Sequence, residues 1–532
     1  MPVLSNAIDS SSPQFKENES VALKQVAALE AALAEALDGG GERYRQRHHD
    51  RGKLMIRERI ELLVDRDSPF LELGAIVAYG TDFATGAGYV YGIGVVEGIE
   101  CVVAGNDPTV RGGSFNEFTL GKSLRAQEVA KQNRLPLINL VESGGADLSN
   151  QHKIFVPGGK WFRNLTQMSK AGIPTISLVF GSSTAGGAYV PGMSDYAVMV
   201  QDRAKVFLAG PPLVKMATGE ESTEEELGGA VMHSRISGLS DYLAADEYDC
   251  LRIGRQIIKH LDYRKLGRGP VTSSRAPLFD PDDILGLIPT STRQPMDMYA
   301  VLAHTIDGSD LDEYKAEYGT SLICGWATIH GYRVGIVANQ LGVIFSDEAK
   351  KATEFISLCN RYDQPILFIH NVTGYMVGKD YEQGGIIKDG AKMINVIANS
   401  TVPHIAIIAG ASYGAGNYGM SGQAFNPRFV FSWPSAKIAV MGGEQLAGVM
   451  SIVGRNAAQA AGREYDEANN AATRAAIEEQ IDREQDAFFM SAHNRDDGVI
   501  DPRDTRTILG ITLSAIHSNT VKGTSDFGVF RM

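Results

Sequence analysis

GIPTISLVFGSSTAGGAY at residues 172–189 and TVPHIAIIAGASYGAGNY at 401–418 decide the fold. In each, a proline is followed by Gly seven residues on and by Tyr fifteen residues on. An aliphatic, β-branched run ends in small residues, which is the pattern of a buried strand running into a glycine turn. Charged residues are missing from Ala171 to Ser194 and from Met393 to Pro427, so hydropathy alone would suggest two membrane spans. Pro174, Pro191, Pro403 and the glycine clusters argue against a lone bilayer helix and for core strands.

The repeat extends upstream. Gly92, Gly98 and Asn106 match Gly325, Gly331 and Asn339, with intervals of six and eight residues in both places. The chain therefore reads as two copies of one α/β domain, with equivalent turns and two related sites. Strand-like runs GYVYGIGVV, ECVVAG and LPLINLV enclose a helical TLGKSLRAQEVAKQN, so strands and helices alternate. Ala22, Leu23, Val26, Leu29, Leu33 and Leu37 recur at helical spacing before Gly39, Gly40 and Gly41, which predicts an amphipathic N-terminal helix. Pro270, Pro277, Pro281, Pro289 and Pro295 mark a boundary. The expected organisation is a first domain over 1–270, a Pro-rich linker over 271–297 and a second domain over 298–532. An Ala-rich, charged stretch near 462–494 is expected to be an exposed helical insertion.

The 532 residues are enough for two full cores, and a net charge of −13 without a basic block excludes a nucleic-acid binder. The 58 glycines exceed the usual share of about 7%. Cys101, Cys250, Cys324 and Cys359 form no CxxC pair and are expected to be reduced thiols. The N-terminal stretch has the form of neither a secretory signal nor a transit peptide, so the expected location is cytoplasmic, away from any membrane.

Both turns are suited to holding an oxyanion. A strand that stops in glycines and opens a helix aims unpaired N–H groups outward, and the lack of side chains admits a substrate oxygen. Ser183-Thr184-Ala185-Gly186-Gly187-Ala188 and Ser412-Tyr413-Gly414-Ala415-Gly416-Asn417 offer equivalent donors. Gly92 to Gly98 has the wrong spacing for a dinucleotide fingerprint, and no GxxxxGK[ST] loop occurs. Gly410-Ala411-Ser412-Tyr413-Gly414 does fit the serine-hydrolase elbow G-x-S-x-G. Against that reading, no Asp and His follow in convincing order, and Ala185 stands where the first copy would need Gly. His233 reads as a hydrogen-bonded structural residue, the paired His48-His49 as solvated surface, and Glu224-Glu225-Glu226 as the first turn of a helix.

Taken together, ESGGAD (142–147), GSSTAGGAYVPGMSD (181–195), FLAGPPLVK (207–215), ATGEESTEEELGGAVMHSRISG (217–238), TGYMVGKDYEQGG (373–385) and DDGVIDPRDTR (496–506) resemble one family. It is the β, or carboxyltransferase, subunit of biotin-dependent acyl-CoA carboxylases, nearest the methylcrotonyl-CoA and geranyl-CoA branch. The resemblance covers nearly the whole chain from residue 51. It implies tandem crotonase-like ββα-superhelix domains. It further implies that the amides of Gly186 and Gly187 hold a thioester oxygen and that those of Ala415 and Gly416 hold the biotin ureido oxygen. Gly144, Gly145, Gly158 and Gly159 would line the acyl-CoA site, Gly374 and Tyr375 the biotin site, and no metal is implied. In the loop IFVPGGKWF (154–162), Gly158 and Gly159 stand where methylcrotonyl relatives resemble a longer segment with a bulky Phe, which implies a roomier acyl pocket. The chain lacks a Met-Lys-Met biotinylation site, Lys215-Met216 lying in VKMAT, and it has no ATP motif. A separate α subunit carrying biotin carboxylase and biotin carrier is therefore the implied partner, in an assembly built on a hexamer of β subunits.

Overall fold

The computed structural model describes residues 3–5, 8–292 and 294–530. Two sheets dominate, one from each half of the chain. The first contains β1 (Leu71–Leu73), β2 (Tyr89–Val96), β3 (Ile99–Asn106), β4 (Leu137–Ser143), β5 (Thr175–Thr184), β6 (Tyr196–Val200), β7 (Lys205–Phe207) and β8 (Tyr242–Ala244). Its order is β1-β2-β3-β4-β5-β6-β8, with β7 beside the end of β5. The second contains β9 (Asp312–Glu313), β10 (Leu322–Ile329), β11 (Tyr332–Asn339), β13 (Ile366–Val372), β15 (His404–Tyr413), β16 (Phe429–Ser432) and β17 (Lys437–Ala439), and β12 (Val343–Ile344) pairs separately with β14 (Gly374–Tyr375). Its order is β16-β15-β13-β11-β10-β9, with β17 beside the end of β15.

The repeat read from glycine spacing is a repeat of strand register. Hairpin β2–β3 pairs Tyr89 with Asn106, and hairpin β10–β11 pairs Leu322 with Asn339. The turns pass through Glu97-Gly98 and His330-Gly331, all four at positive φ, the type I′ geometry that makes glycine useful at the second position. The parallel pair β4–β5 shifts register between Val141 and Ser143, and β13–β15 does so between His370 and Val372. The bulge was thus duplicated with the strands.

Helix Pro13–Asp38 starts from an Ser12 N-cap and ends at Gly39, whose φ is +57°. Its Ala22 and Val26 join a core shared by both halves, and its Leu29 and Ala32 join the core behind the second sheet. The shared core takes Ile93 and Val102 from the first sheet and Ile323 and Ile405 from the second. Helix Glu117–Asn133 also links the halves, because buried Arg125 donates to both carboxylate oxygens of Asp497 at 2.8 and 2.9 Å. The Pro-rich stretch includes helix Ile284–Leu287, where Asn18 Nδ2 donates to the Gly286 carbonyl at 3.0 Å. All four cysteines are buried free thiols.

Several elements differ from the sequence reading. IFVPGGKWF is no loop: it lies within helix Gln151–Lys170, with Pro157 inside. Buried Ile154, Trp161, Leu165 and Met168 form a helical stripe, and seating that stripe in the core outweighs the local cost of Pro and Gly. His48 is buried, with its Nε2 3.2 Å from the Leu54 carbonyl, whereas His49 is exposed. The helical segment near the C-terminus starts earlier, as helix Gly443–Ala460, which packs on the exposed helix Glu467–Glu484. Within 487–492, by contrast, Ala487, Ser491 and Ala492 are buried. No described helix is long and apolar enough to cross a membrane.

Candidate active site

Each long central strand ends in a sharp turn. β5 runs into the helical turn Ala185–Ala188, and β15 into the helix Gly414–Gly419. Ala185 and Gly414 occupy the same place, with φ of +53° and +52°. Exposure also repeats: Gly186 and Ala415 face solvent, while Gly187 and Gly416 are buried. As the first amides of a helical turn, these four N–H groups have no acceptor inside the turn.

Glycines from the neighbouring strands border both turns. A Cβ on Gly145, at φ +91°, would lie 3.2 Å from Thr184 Oγ1, so Gly145 adjoins the first turn. Gly144 donates to the Gly112 carbonyl at 2.9 Å. In the second copy a Cβ on Gly416 would lie 2.8 Å from Val372 Cγ2 and 3.1 Å from Gly374 Cα. Gly374 therefore adjoins the second turn. The ring of Tyr375 packs against Gly390 and Gly419, and burial raises its phenol pKa. Gly158 and Gly159 project into open space, while Phe162, one turn further on, lies 3.5 Å from where a Cβ on Gly186 would be. Phe162 stacks on Trp161, which packs on Phe115.

A buried ionic cluster lies behind the first turn. Arg59 donates to Glu142 at 2.9 Å and to Glu247 at 2.8 and 3.0 Å, and Lys53 also pairs with Glu142. Burial pushes the Glu142 carboxyl up, but Arg59 and Lys53 outweigh it and hold the group below its ordinary range. Beside Gly112 opens a cleft of about 480 Å³ whose lining includes Tyr44, Arg47, Arg51 and Arg111. Sequence reading missed these arginines because they come from two distant segments, 44–51 and 111, with no motif between them.

The hydrolase alternative meets a structural objection. Ser412 is wholly buried, with Oγ 2.9 Å from His370 Nδ1 and accepting from Asn417 Nδ2 at 2.9 Å. A histidine does stand beside the serine, but it precedes Ser412 in the chain, where an elbow-and-order search does not look. Its ring is fully buried, and desolvation lowers its pKa to about 4. A hydroxyl closed off from solvent is not placed to attack a substrate. His233 is a satisfied core residue, 2.7 Å from both Ser237 Oγ and the Val206 carbonyl. Glu224–Gly228 forms the expected helix behind a Thr223 capping box. Among the described residues no cluster of His, Cys, Asp and Glu could hold a metal ion.

Two crotonase-like α/β units, each presenting amides from a strand-to-helix turn, define a carboxyltransferase-type scaffold. The carboxyl transferase domain matches residues 47–530, and the chain belongs to that family, among the β subunits of biotin-dependent acyl-CoA carboxylases. It is 59% identical, over the full length of both proteins, to the probable biotin-dependent acyl-coenzyme A carboxylase beta2 subunit of Mycobacterium tuberculosis. It is 43% identical to the mitochondrial methylcrotonoyl-CoA carboxylase beta chain of Dictyostelium discoideum, covering 100% of this chain and 91% of that one. The crystal structure of the P. aeruginosa geranyl-CoA carboxylase beta subunit superposes with a TM-score of 0.90 at 38% identity, covering 99% of each chain.

Proposed function

We propose that this chain carries out carboxyl transfer with backbone amides alone, the acyl-CoA at the first turn and carboxybiotin at the second. The observation that carries this reading is the repeated geometry of the two turns: matching φ at Ala185 and Gly414, and an exposed residue followed by a buried one after each. As the acyl α-carbon loses its proton, negative charge grows on the thioester oxygen, and the Gly186 and Gly187 amides are placed to receive it. Each such donor is worth roughly 10²–10³ in rate, so a site without an acidic side chain is chemically adequate. Carboxybiotin, when bound, supplies the CO2 and a ureido nitrogen that takes the α-proton. The Ala415 and Gly416 amides then hold the ureido oxygen. The close approach of Gly416 to Gly374 fits this use, because a side chain at Gly416 would push against Val372 and the Gly374 backbone and shift the turn.

The arginine-lined cleft beside Gly112 suits the phosphates of coenzyme A, with Gly144 and Gly145 joining it to the first turn. The partner is an α subunit that charges and carries biotin. Exposed apolar side chains flank both turns, including Phe155 and Tyr189 on the first and Val377, Tyr418 and Val440 on the second. They suit burial against a second β subunit, in a hexamer built from dimers that set the acyl side of one chain against the biotin side of another. The open space at Gly158 and Gly159 supports acyl groups larger than methylcrotonyl.

The test uses the purified chain. With a carboxylated acyl-CoA and free biotin it should transfer the carboxyl group; with ATP, bicarbonate and biotin it should do nothing. ATP hydrolysis coupled to biotin carboxylation, or labelling of Ser412 by a fluorophosphonate with loss of an esterase activity in Ser412→Ala, would overturn the assignment.

A further inference from the structure

The two turns are equivalent in backbone but not in what stands behind them. Behind the second, Ser412 Oγ is bonded on one side to His370 Nδ1 and on the other to Asn417 Nδ2, both at 2.9 Å. The three residues come from three places: His370 from β13, Ser412 from the penultimate position of β15, and Asn417 from the helix that starts with the Ala415 and Gly416 amides. The Ser412–Asn417 bond closes a ring around Tyr413 to Gly416. The Asn417 side chain is itself wedged, since a Cβ on Gly422 would lie within 1.9 Å of its Oδ1. The Asn417 carbonyl also accepts from Gly422 N at 2.9 Å.

The first copy serves as an internal control. Register places Val141, Ser183 and Ala188 where the second copy has His370, Ser412 and Asn417. There Ser183 is equally buried, yet its hydroxyl has no hydrogen-bond partner among the described residues. The sheet therefore does not require a histidine at this position, because valine fills it in the sister domain. Burying an imidazole and an amide edge costs more than burying valine and alanine unless their hydrogen bonds serve a purpose. A polar chain whose His370 and Ser412 are fully buried, confined to one copy and ending on the helix that carries two functional amides, points to a task specific to that copy.

We propose that His370, Ser412 and Asn417 are positioning residues that fix the direction of the Ala415 and Gly416 amides and thereby set affinity for the biotin ureido group. The inference rests on the assignment of the second turn to biotin. A neutral His370 ring accepting the Ser412 hydroxyl proton leaves Oγ free to accept from Asn417, so one proton arrangement satisfies both bonds. Removing any member lets the helix start rotate about Tyr413 and Gly414 without moving the first turn.

The test is steady-state carboxyl transfer between a carboxylated acyl-CoA and free biotin, with acyl-CoA affinity measured separately by calorimetry. Ser412→Ala, Asn417→Ala and His370→Leu should each raise KM for biotin about tenfold and leave the acyl-CoA Kd within about twofold. The Ser412→Ala/Asn417→Ala double variant should be no worse than the worse single, as for members of one unit. His370→Asn, which keeps an acceptor near the position of Nδ1, should recover most of the biotin KM. If folded variants, judged by an unchanged thermal midpoint for Asn417→Ala, leave the biotin KM alone while Gly416→Val raises it, the positioning role is wrong. If Gly416→Val also leaves it unmoved, the assignment of the second turn to biotin falls instead. Equal loss on the acyl and biotin sides would reduce the network to a general packing role and overturn the proposal.

Discussion

Lys122 and Lys351 are the same lysine in two copies of the fold. Both are wholly buried on the helix that follows the hairpin, and each donates to the carbonyl of a positive-φ glycine ahead of that hairpin: Lys122 to Gly86 at 3.0 Å and Lys351 to Gly319 at 3.4 Å. Nothing in the spacing of glycines reveals this, since a lysine in an amphipathic helix reads as solvent-facing.

Desolvation lowers the Lys122 pKa from 10.5 to about 7. With the folded value depressed, the unfolded chain binds the extra proton between about pH 7 and 10.5, so the penalty is full below that window and fades as pH rises through it. Lys122→Met should therefore lose ground to the wild type as pH climbs from 7 to 10, by about 1–3 kcal/mol. Urea midpoints of both proteins across that range check this; a constant difference would contradict it.

Arg59→Met should be severe. It leaves Glu142 and Glu247 buried with less than their charge balance, a situation that costs about 3–5 kcal/mol. Because Glu142 is held below its ordinary 4.5 in the intact cluster, its contribution is present above about pH 4.5 and is lost as pH falls through the folded value. The gap between the variant and the wild type should be widest near neutrality and should narrow towards pH 3, as read by thermal midpoints.

Alanine at the two buried turn glycines should have unequal effects. At Gly416 the new Cβ would lie 3.1 Å from Gly374 backbone, whereas at Gly187 its nearest neighbour is the Ser183 hydroxyl at 3.2 Å. A displaced donor costs roughly 10²-fold in rate, so Gly416→Ala should reach that level in kcat and Gly187→Ala should fall only a few-fold. Equal losses would indicate that the turns share their tolerance.

Gly158→Phe places a ring in open space on the helix bearing Phe162. Helix propensity improves, so folding should be unharmed. Each CH2 excluded from the pocket forfeits about 0.8 kcal/mol, so kcat/KM for geranyl-CoA should drop relative to methylcrotonyl-CoA in the assembled enzyme. A strong preference for acetyl- or propionyl-CoA, unaltered by Gly158→Phe, would remove the pocket argument without touching the reaction class.

What the sequence made legible was whatever repeats along the chain or needs glycine locally. Gly98 and Gly331 mark type I′ turns, and the runs before Gly186 and Ala415 mark buried strands, because backbone demands write themselves into adjacent residues. Helix Gln151–Lys170 was hidden by Pro157-Gly158-Gly159, whose local preference is overruled by the stripe from Ile154 to Met168. The Arg59 cluster, the Arg111 cleft and the His370 contact all join residues far apart in the chain, and no spacing rule reaches across such distances.

Helix Pro13–Asp38 is made before half of what it packs against. Its Asn18 waits for Gly286, and its Leu29 and Ala32 wait for the core around Val337 and Phe355. During synthesis this helix must remain without the second-half members of both cores, Ile323 and Val337 among them, until more than half the chain has been made. Completion of either lobe is thus tied to arrival of the other, and removal of residues 13–38 should produce a protein that fails in both halves at once.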